Sequence, residues 1–259
     1  MTESKDSRAA WIQGGQAQCS PPPPPPSSGR PFRLVLLGAP GVGKGTQAEL
    51  LSQRLGACHL STGDIFRAAK SLGKEERSAA LSEALSFMGQ GRLVPDATVL
   101  AMVRERDRCL NCSRGFLLDG FPRTVAQAEA LEQHLKDESL PLTGVVDYEL
   151  PLEEIVERLS GRRTCAGCGA VYHLVSCPPR KKDVCDRCGA ALYQREDDRP
   201  ESIRVRMKAY QESTLPLIQF YRQRGLLRPV TAHGSPVEIF QRTLAALNGA
   251  AAGETENDL

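Results

Sequence analysis

The chain has 259 residues, of which 41% are hydrophobic and 25% are charged, and its formal net charge is +2. These values are typical of a globular protein with one α/β domain and an insert, or with two small domains. The near-neutral balance argues against a protein that acts mainly on nucleic acid, because such proteins carry a clear basic excess. No apolar run is long enough to predict a membrane span, so no membrane partner is expected.

The two ends of the sequence have a composition typical of disorder. Residues 1–31 contain six consecutive prolines and lack the apolar segment of a secretory signal. We therefore predict a disordered, proline-rich tail over residues 1–31 and a second disordered tail over residues 249–259. Because no export signal is present, the nine cysteines are expected to be metal ligands or free thiols and not disulfides.

Short apolar runs alternate with helical patterns along the chain. The first helical pattern follows a Gly-rich loop, places Ala48, Leu51 and Leu55 on one face, and ends at Gly56. This alternation predicts an α/β fold with a doubly wound parallel sheet and helices on both faces. The candidate strands are Phe32–Leu37, Cys58–Leu60, Phe116–Asp119, Val145–Leu150 and Arg228–Ala232.

Two segments interrupt the alternation and divide the chain. A mostly helical insert is expected over residues 61–94, and a cysteine-rich insert over residues 161–198. The core of the α/β domain is then expected in residues 32–60, 95–160 and 199–248.

The segment GAPGVGKGT, from Gly38 to Thr46, has the composition of a phosphate-binding loop between a strand and a helix. Its glycines let backbone N–H groups converge on phosphate oxygens, and the helix that follows adds its positive N-terminal end. Lys44 supplies a positive charge to the outer phosphates. The ending GKGT differs from the usual GK[ST], because Gly45 follows Lys44 and Thr46 comes one residue later.

Two further segments predict an acceptor site. In HLSTGDIFR, Ser61 or Thr62 can cap a helix, and Arg67 lies one turn later, within reach of an anion. In GFLLDGFPRTVAQAE, Asp119 ends an apolar strand, where a carboxylate can bind the water shell of Mg²⁺. Arg123 in that segment is placed for phosphate. Gln127 completes a capping box with Thr124, and its amide would also suit the edge of a purine.

The segment from Cys165 to Ala190 contains two Cys-x-x-Cys pairs in the spacing C-x₂-C-x₁₆-C-x₂-C. That spacing predicts a zinc site with four thiolate ligands, which is structural because its coordination sphere is closed. The expected ligands are Cys165, Cys168, Cys185 and Cys188. A further pair, Cys109 and Cys112, has no second pair at metal spacing, and we expect surface or half-buried thiols there.

Several motifs together resemble those of the adenylate kinases, in their long-lid, zinc-bearing form. The resemblance covers roughly residues 32–245, and its motifs are long, ordered and specific. They read GAPGVGKGTQAELL, STGDIFR, GRLV, GFLLDGFPRTVAQAE, SGRRTC and QREDDRPESIRVRMKAY. The resemblance implies a P-loop fold with a helical AMP-binding insert and a zinc lid. It also implies Mg²⁺-dependent phosphoryl transfer from ATP to AMP, which gives two ADP.

The resemblance also implies the roles of individual residues. For ATP it implies phosphate contacts from Gly41, Val42, Gly43, Lys44, Gly45 and Thr46, lid contacts from Arg158 and Arg162, and further contacts from Val171, Tyr172 and Ser235. For AMP it implies Thr62, Arg67, Arg92, Leu93, Val94, Gly120, Phe121, Pro122, Arg123 and Gln127. Arg195 and Arg206 would contact phosphates on both sides of the reacting centre. The catalytic set is then Lys44, Arg123, Arg158, Arg162, Arg195 and Arg206, with Asp119 holding Mg²⁺ through water.

Other functions remain open at this point. The acceptor could be UMP, CMP or GMP, or the donor could be GTP, although Thr62, Gln127 and the zinc lid favour AMP. The chain could instead be a P-loop nucleotide sensor, against which the full arginine set argues. A zinc ribbon that binds nucleic acid would use Tyr172, Arg180, Lys181 and Lys182, but the near-neutral charge argues against it. We expect a cytoplasmic monomer.

Overall fold

The computed structural model describes residues 11–12, 19, 30–71, 73, 77, 79–89 and 92–249. Much of both predicted tails therefore lies outside the described residues. Within the described ranges, no helix is both long enough and apolar enough to cross a membrane.

A five-stranded parallel sheet forms the centre of the fold. Its strands lie in the order β2, β3, β1, β4, β8, and each adjacent pair is parallel. The chain places helices between successive strands, which is the connection that parallel strands require. The strands are β1 (Phe32–Gly38), β2 (Cys58–Ser61), β3 (Gly115–Asp119), β4 (Gly144–Glu149) and β8 (Leu227–Thr231).

Helices cover the sheet and build the first insert. The insert contains α2 and α3, and a short 3₁₀ turn, Asp107–Cys109, precedes β3. The helices are α1 (Lys44–Leu55), α2 (Thr62–Ser71), α3 (Ala79–Gly89), α4 (Asp96–Arg104), α5 (Val125–Asp137), α6 (Leu152–Gly161), α7 (Pro200–Ala209), α8 (Pro216–Gln223) and α9 (Pro236–Gly249).

The second insert is a small antiparallel sheet that carries the cysteine pairs. Its strands are β5 (Arg162–Cys165), β6 (Val171–His173) and β7 (Leu192–Tyr193), in the order β6, β5, β7. Its own buried cluster is small and consists largely of cysteine, alanine and aromatic side chains. A cluster of this size stabilises a fold weakly, which is why such segments usually depend on a bound metal.

The predicted fold class is confirmed, because the sheet is parallel and the connections between its strands carry helices. Each predicted strand is present, and no bound differs by more than one residue. The apolar runs succeed as predictors because β1 and β4 are buried along most of their length.

The register of the sheet brings the predicted site residues together. Leu36 of β1 and Ser61 of β2 both pair with Asp119 of β3, and Gly38 pairs with Tyr148. The carboxyl ends of β1, β2 and β3 therefore lie side by side. Ligands of open α/β sheets bind beyond these strand ends.

The cysteine prediction is wrong at four positions. Cys19 is bonded to Cys109, and Cys58 to Cys112, as two disulfides. Cys109 and Cys112 were predicted to be surface or half-buried thiols, and both are buried. The partners are 90 and 54 residues apart in sequence, so local spacing gives no sign of either pair.

Two described positions of the predicted disordered tail, residues 1–31, lie in the core. Trp11 is fully buried and Cys19 is 5% exposed, and both belong to the main core cluster. The other described residues of that range, except Ile12, adjoin β1. Composition favoured disorder because the segment contains six consecutive prolines, but composition does not register a single buried tryptophan or cysteine.

Asp147 of β4 is a buried carboxylate, and neither of its side-chain oxygens has a hydrogen-bond partner among the described residues. Burial, followed by the nearby Glu149, raises the pKa of Asp147 from 3.8 to about 6. Folding therefore favours the protonated form. The stabilising contribution is fully present below pH 4 and is lost as the pH rises through 6.

We expect Asp147→Asn to raise the free energy of unfolding at pH 8 by about 1–3 kcal/mol, because the variant carries no buried charge. The difference in the free energy of unfolding between Asp147→Asn and the wild type should vanish near pH 4. Urea denaturation at several pH values measures this, with Glu129→Gln, an exposed change on α5, as the control. An Asp147→Asn stability that follows the wild type at every pH would contradict the raised pKa.

Candidate active site

The phosphate loop joins β1 to α1 and is open to a ligand. Gly43 immediately precedes α1 and has a φ of 108°, a conformation that residues with a side chain rarely adopt. Lys44 Nζ donates to the carbonyl oxygens of Gly38 at 2.7 Å and Ala39 at 3.0 Å. The lysine therefore lies over the loop itself, with its charge beside the N-terminus of α1. Both features favour an anion.

The charges around Lys44 come from several parts of the chain. Burial lowers the pKa of Lys44 to about 8, Asp119 opposes this shift, and Arg123, Arg206 and Arg162 add to it. Three arginines that are far apart in sequence thus act on one lysine. Such crowding of positive charge is unfavourable without an anion, and it is the arrangement that a polyphosphate would neutralise.

Asp119 lies at the carboxyl end of β3, opposite the start of α1. A Cβ atom on Gly45 would be 3.6 Å from Asp119 Oδ2, so the carboxylate faces the phosphate loop. Burial tends to raise its pKa, but His59 and Lys44 outweigh this and hold the pKa of Asp119 at about 2. A carboxylate that stays ionised beside a phosphate loop fits the hydrated Mg²⁺ that accompanies ATP.

Asp198 holds two of the predicted arginines in place. Its carboxylate is fully buried and accepts from Arg162 Nε at 2.8 Å and from Arg206 NH1 at 3.4 Å. Arg206 also donates to the carbonyl oxygen of Asp197 at 2.9 Å. Arg206 NH1 also lies 3.0 Å from Asp197 Oδ2. Two carboxylates therefore face two guanidinium groups here, and their charges balance. The 3₁₀ turn Glu196–Asp198 thus links the lid to the reacting centre.

Arg195 completes the cation cluster from the lid side. Its Nε donates to Thr164 Oγ1 at 2.8 Å, which orients the side chain. Burial, then the nearby Arg162 and Arg67, lowers the pKa of Arg195 to about 10, so it remains charged at neutral pH. Arg67 comes from the first insert, where it pairs with Asp64. Cations of both inserts therefore lie near each other.

A pocket on the side of the first insert combines apolar walls with polar groups. Phe66, Met88 and Val99 form part of its apolar lining, which suits an aromatic base. Its remaining lining residues are Thr62, Leu93, Val94, Gly120, Arg123 and Gln127, all predicted for AMP.

Gly120 allows the close approach of two of these residues. Its φ is 84°, and a Cβ atom there would lie 2.7 Å from Thr62 Oγ1 and 3.3 Å from Arg123 NH2. Any side chain at this position would therefore displace the contacts of Thr62. Phe121 and Pro122 follow, joined by a cis peptide bond, and both are buried. Neither residue lines the pocket.

Gln127 is held by hydrogen bonds and does not turn freely. Its Nε2 donates to Asp96 Oδ1 at 2.7 Å, and its Oε1 accepts from the backbone N–H of Arg123 at 2.8 Å. Its backbone N–H donates to Thr124 Oγ1, as the predicted helix cap requires. Capping thus uses the backbone, while the side chain is fixed in the wall of the pocket.

Six of the residues predicted for AMP do not line this pocket: Arg67, Arg92, Phe121, Pro122, Arg195 and Arg206. Among them, Arg92 directly precedes two residues that do line it. Its guanidinium lies over the ring of Phe87, 5.1 Å from the centroid, and the residue is exposed. It is absent from the pocket lining, unlike Leu93 and Val94.

Arg158 connects two segments that are predicted to bind the donor nucleotide. Its guanidinium donates to the carbonyl oxygens of Val42 in the phosphate loop at 3.1 Å and of Ala232 at 2.8 Å. Ser235 lies three residues beyond Ala232, where its backbone N–H donates to Glu238 Oε2 at 2.7 Å. The segment with Ser235 is thus tied to the phosphate loop.

Val171 and Tyr172 differ from each other on the lid. Val171 is 47% exposed, so its side chain is available to a ligand. Tyr172 is buried, and its hydroxyl lies 3.5 Å from Cys185 Sγ and accepts from the backbone N–H of Asp186 at 2.8 Å. Its side chain therefore belongs to the interior of the lid.

The four predicted zinc ligands form one cluster. The sulfur atoms of Cys165, Cys168, Cys185 and Cys188 all lie within 4.8 Å of one another. Cys165 Sγ is 3.4 Å from Cys188 Sγ, and Cys168 Sγ is 3.6 Å from Cys185 Sγ. Tetrahedral zinc at 2.3 Å from each sulfur requires separations of about 3.8 Å, so the donor set fits. Cys177 is exposed and lies outside the cluster.

Sequence reasoning missed three residues that support the site. Asp96 holds Gln127, Asp198 holds Arg162 and Arg206, and His59 Nε2 lies 3.6 Å from Asp119 Oδ2. Asp198 could have been found, because three acidic residues follow Arg195 in the REDD motif. Asp96 and His59 gave no such signal, since their partners are distant in sequence.

Comparisons with known proteins agree with this site. Residues 36–226 match the model of the family described as adenylate kinase. An adenylate kinase of Carboxydothermus hydrogenoformans is 46% identical over 83% of this chain and 99% of its own. One of Bacillus pumilus is 52% identical over 76% and 88%, and one of Archaeoglobus fulgidus is 47% identical over 77% and 90%. With a phosphate loop, an acceptor pocket and a shared cation cluster in place, the chain belongs to the adenylate kinase family.

Proposed function

We propose that this protein transfers the γ-phosphoryl group of ATP to AMP, reversibly and with Mg²⁺, to give two ADP. The observation that supports this proposal most directly is that the phosphate loop and the pocket around Gln127 meet at one cluster of cations. ATP would bind along the loop with its phosphates at Lys44. AMP would bind in the pocket with its phosphate toward Arg123 and Arg67.

The transfer needs alignment and positive charge more than covalent help. Lys44, Arg123, Arg162, Arg195 and Arg206 would stabilise the charge that spreads over the oxygens of the transferred group. Bound Mg²⁺ supplies further neutralisation of that charge, and Asp119 would hold it through water. The AMP phosphate oxygen attacks the γ-phosphorus, and the ADP β-phosphate leaves with the bond electrons.

Arg158 would act differently from the other members of the predicted catalytic set. Its guanidinium already bridges Val42 and Ala232 through their carbonyl oxygens. We infer that it positions the adenosine side of ATP by joining the phosphate loop to the segment with Ser235. The lid above it would exclude water, which otherwise accepts the phosphoryl group and wastes ATP.

We also propose that the four-cysteine cluster holds a structural Zn²⁺. Support comes from the sulfur separations and from the small size of the lid core. Four thiolates would leave no open position for a substrate, so this metal would hold the lid in shape and take no part in transfer.

AMP is preferred over other acceptors because of the arrangement at Gln127. Its amide is fixed by Asp96 and by the Arg123 N–H, so it offers a rigid polar edge to a base. Rigid hydrogen-bonding groups reject ligands that leave them unpaired. UMP, CMP and GMP present different edges at that point.

The test is ADP formation from Mg-ATP with AMP, UMP, CMP and GMP in parallel, with zinc measured in the same sample. We expect turnover with AMP to exceed that with each other acceptor by at least about tenfold, with about one zinc per chain. A Lys44→Ala protein purified identically reports contaminating kinase from the host. Equal or faster turnover with another acceptor would overturn the assignment of AMP.

Two further predictions concern the oligomeric state and the cellular location of the protein. A monomer is expected, and size-exclusion chromatography with light scattering tests it. A cytoplasmic location is expected from the sequence, but the two disulfides favour an oxidising compartment, because cytosolic thiol systems keep cysteines reduced.

A further inference from the structure

Trp11 is the single tryptophan of the chain, and it is fully buried. It precedes residues 36–226, which match the family model. Its core cluster also contains Leu60, Ile65 and Phe66, which lie at the base of the first insert. An indole buries about 150–250 Å², so this residue contributes strongly to the packing of the acceptor side.

Two polar groups of Trp11, its indole N–H and its carbonyl oxygen, are hydrogen-bonded. Its Nε1 donates to the carbonyl oxygen of Ser61 at 2.9 Å. Its own carbonyl oxygen accepts from Arg106 Nε at 2.6 Å, and Arg106 is only 5% exposed. A buried guanidinium that lost this acceptor would pay a desolvation cost. The docking of Trp11 is therefore specific in orientation and not only apolar.

The bond to Ser61 acts directly beside the acceptor pocket. Ser61 ends β2, and Thr62, which lines the pocket, begins α2. Ser61 Oγ caps this helix by accepting from the N–H of Asp64 at 3.3 Å, and Thr62 Oγ1 donates to the carbonyl oxygen of Asp119 at 3.4 Å. Trp11 thus fixes the peptide group that joins Ser61 to Thr62.

A disulfide keeps Trp11 near this position. Cys19 is bonded to Cys109 with their Cα atoms 5.1 Å apart, within the usual range for disulfides. Cys109 ends the turn that follows Arg106, so the bond and the Trp11 contacts lie on adjoining residues. Eight residue steps span at most about 27 Å, so an undocked Trp11 stays close and redocks readily.

We propose that Trp11 is a positioning residue for AMP, which fixes the Ser61–Thr62 peptide at the pocket, and that the Cys19–Cys109 disulfide holds it there. The inference rests on the proposed function, because it assigns AMP to this pocket. It predicts an effect on the acceptor only. Among the described residues, Trp11 is hydrogen-bonded to Ser61 and Arg106, and neither belongs to the phosphate loop.

The burial of Trp11 can be measured by tryptophan fluorescence, since Trp11 is the only tryptophan in the sequence. We expect the oxidised wild type to show blue-shifted emission and weak quenching by acrylamide. Cys19→Ser should increase the quenching, whereas Cys177→Ser, an exposed cysteine outside the zinc cluster, should not. Peptide mapping without reductant should recover Cys19 linked to Cys109. An exposed-indole spectrum in the wild type, or absence of the linked peptide, would overturn the tether.

Positioning is measured by kinetics with Trp11→Phe, which keeps an aromatic ring but loses the N–H donor. We expect KM for AMP to rise about 2- to 10-fold, the range for one hydrogen bond, with kcat and KM for ATP within about twofold of the wild type. If Trp11→Phe folds poorly, Cys19→Ser serves instead and should show a smaller rise confined to AMP. Equal changes for both substrates, or none, would overturn the positioning role. The proposed function is tested by the turnover of AMP by the wild type. That measurement does not depend on the result for Trp11→Phe.

Discussion

Replacing Lys44 by alanine is expected to lower kcat for ADP formation by about 10³-fold, while the protein remains folded. Lys44 is the only cation of the cluster that lies on the phosphate loop itself, and its Nζ is already at the loop, over Gly38 and Ala39. The neighbouring arginines add charge but approach from other elements, so they cannot take its position. Steady-state assays with saturating Mg-ATP and AMP measure the loss.

The matched control is Lys208→Ala. Lys208 is 74% exposed on α7 and has only a surface ion pair with Glu212. Its removal should leave both kcat and the melting temperature close to the wild type. The melting temperature of Lys44→Ala should also stay within a few degrees of the wild-type value, because removal of a buried charge offsets the loss of two hydrogen bonds. Wild-type turnover in Lys44→Ala would refute the phosphate-loop assignment.

Cys185→Ser should lower the melting temperature by about 10 °C or more and remove most of the zinc. Zinc binding contributes about 10–16 kcal/mol in small peptide sites, and each kcal/mol shifts the melting temperature of a domain of this size by about 2–4 °C. Turnover at low temperature should fall far less, because Cys185 is not among the groups that surround Lys44. Calorimetry and metal analysis on one sample measure both effects.

Cys177→Ser is the control for this change as well, since that cysteine lies in the same lid but outside the cluster. It should keep the zinc and the melting temperature of the wild type. A chelator added to the wild type should reproduce the loss of stability in Cys185→Ser. If turnover vanished while stability and zinc content stayed normal, the metal would not be structural.

The parts of the site that sequence predicted well are those made by contiguous residues. The phosphate loop, the strand end at Asp119 and the paired cysteines of the lid each lie in one short segment. Their function follows from local geometry, because a strand, a turn and a helix N-terminus are built by neighbours in sequence. Resemblance to a family then supplied the arginines, whose roles no local pattern would reveal.

The features that the sequence did not predict, namely the burial of Trp11 and the two disulfides, share a physical cause. Trp11 docks on Ser61, and Cys19 and Cys58 bond to cysteines 90 and 54 residues later. Composition averages over a segment, so a single anchoring residue in a proline-rich tail does not alter its prediction. Distant cysteines pair only if the fold brings their Cα atoms within about 7 Å.

By itself the sequence determined the parallel α/β fold, the glycine-rich loop between β1 and α1, and the four cysteines that cluster in the lid, since periodicity and spacing are local properties. The tertiary structure alone decided which carboxylates hold the cations, with Asp198 between Arg162 and Arg206 and Asp96 on Gln127. It also decided that Tyr172 faces the cysteines and that Trp11 is buried. These contacts depend on the approach of elements that are distant in the chain, and no local pattern encodes such an approach.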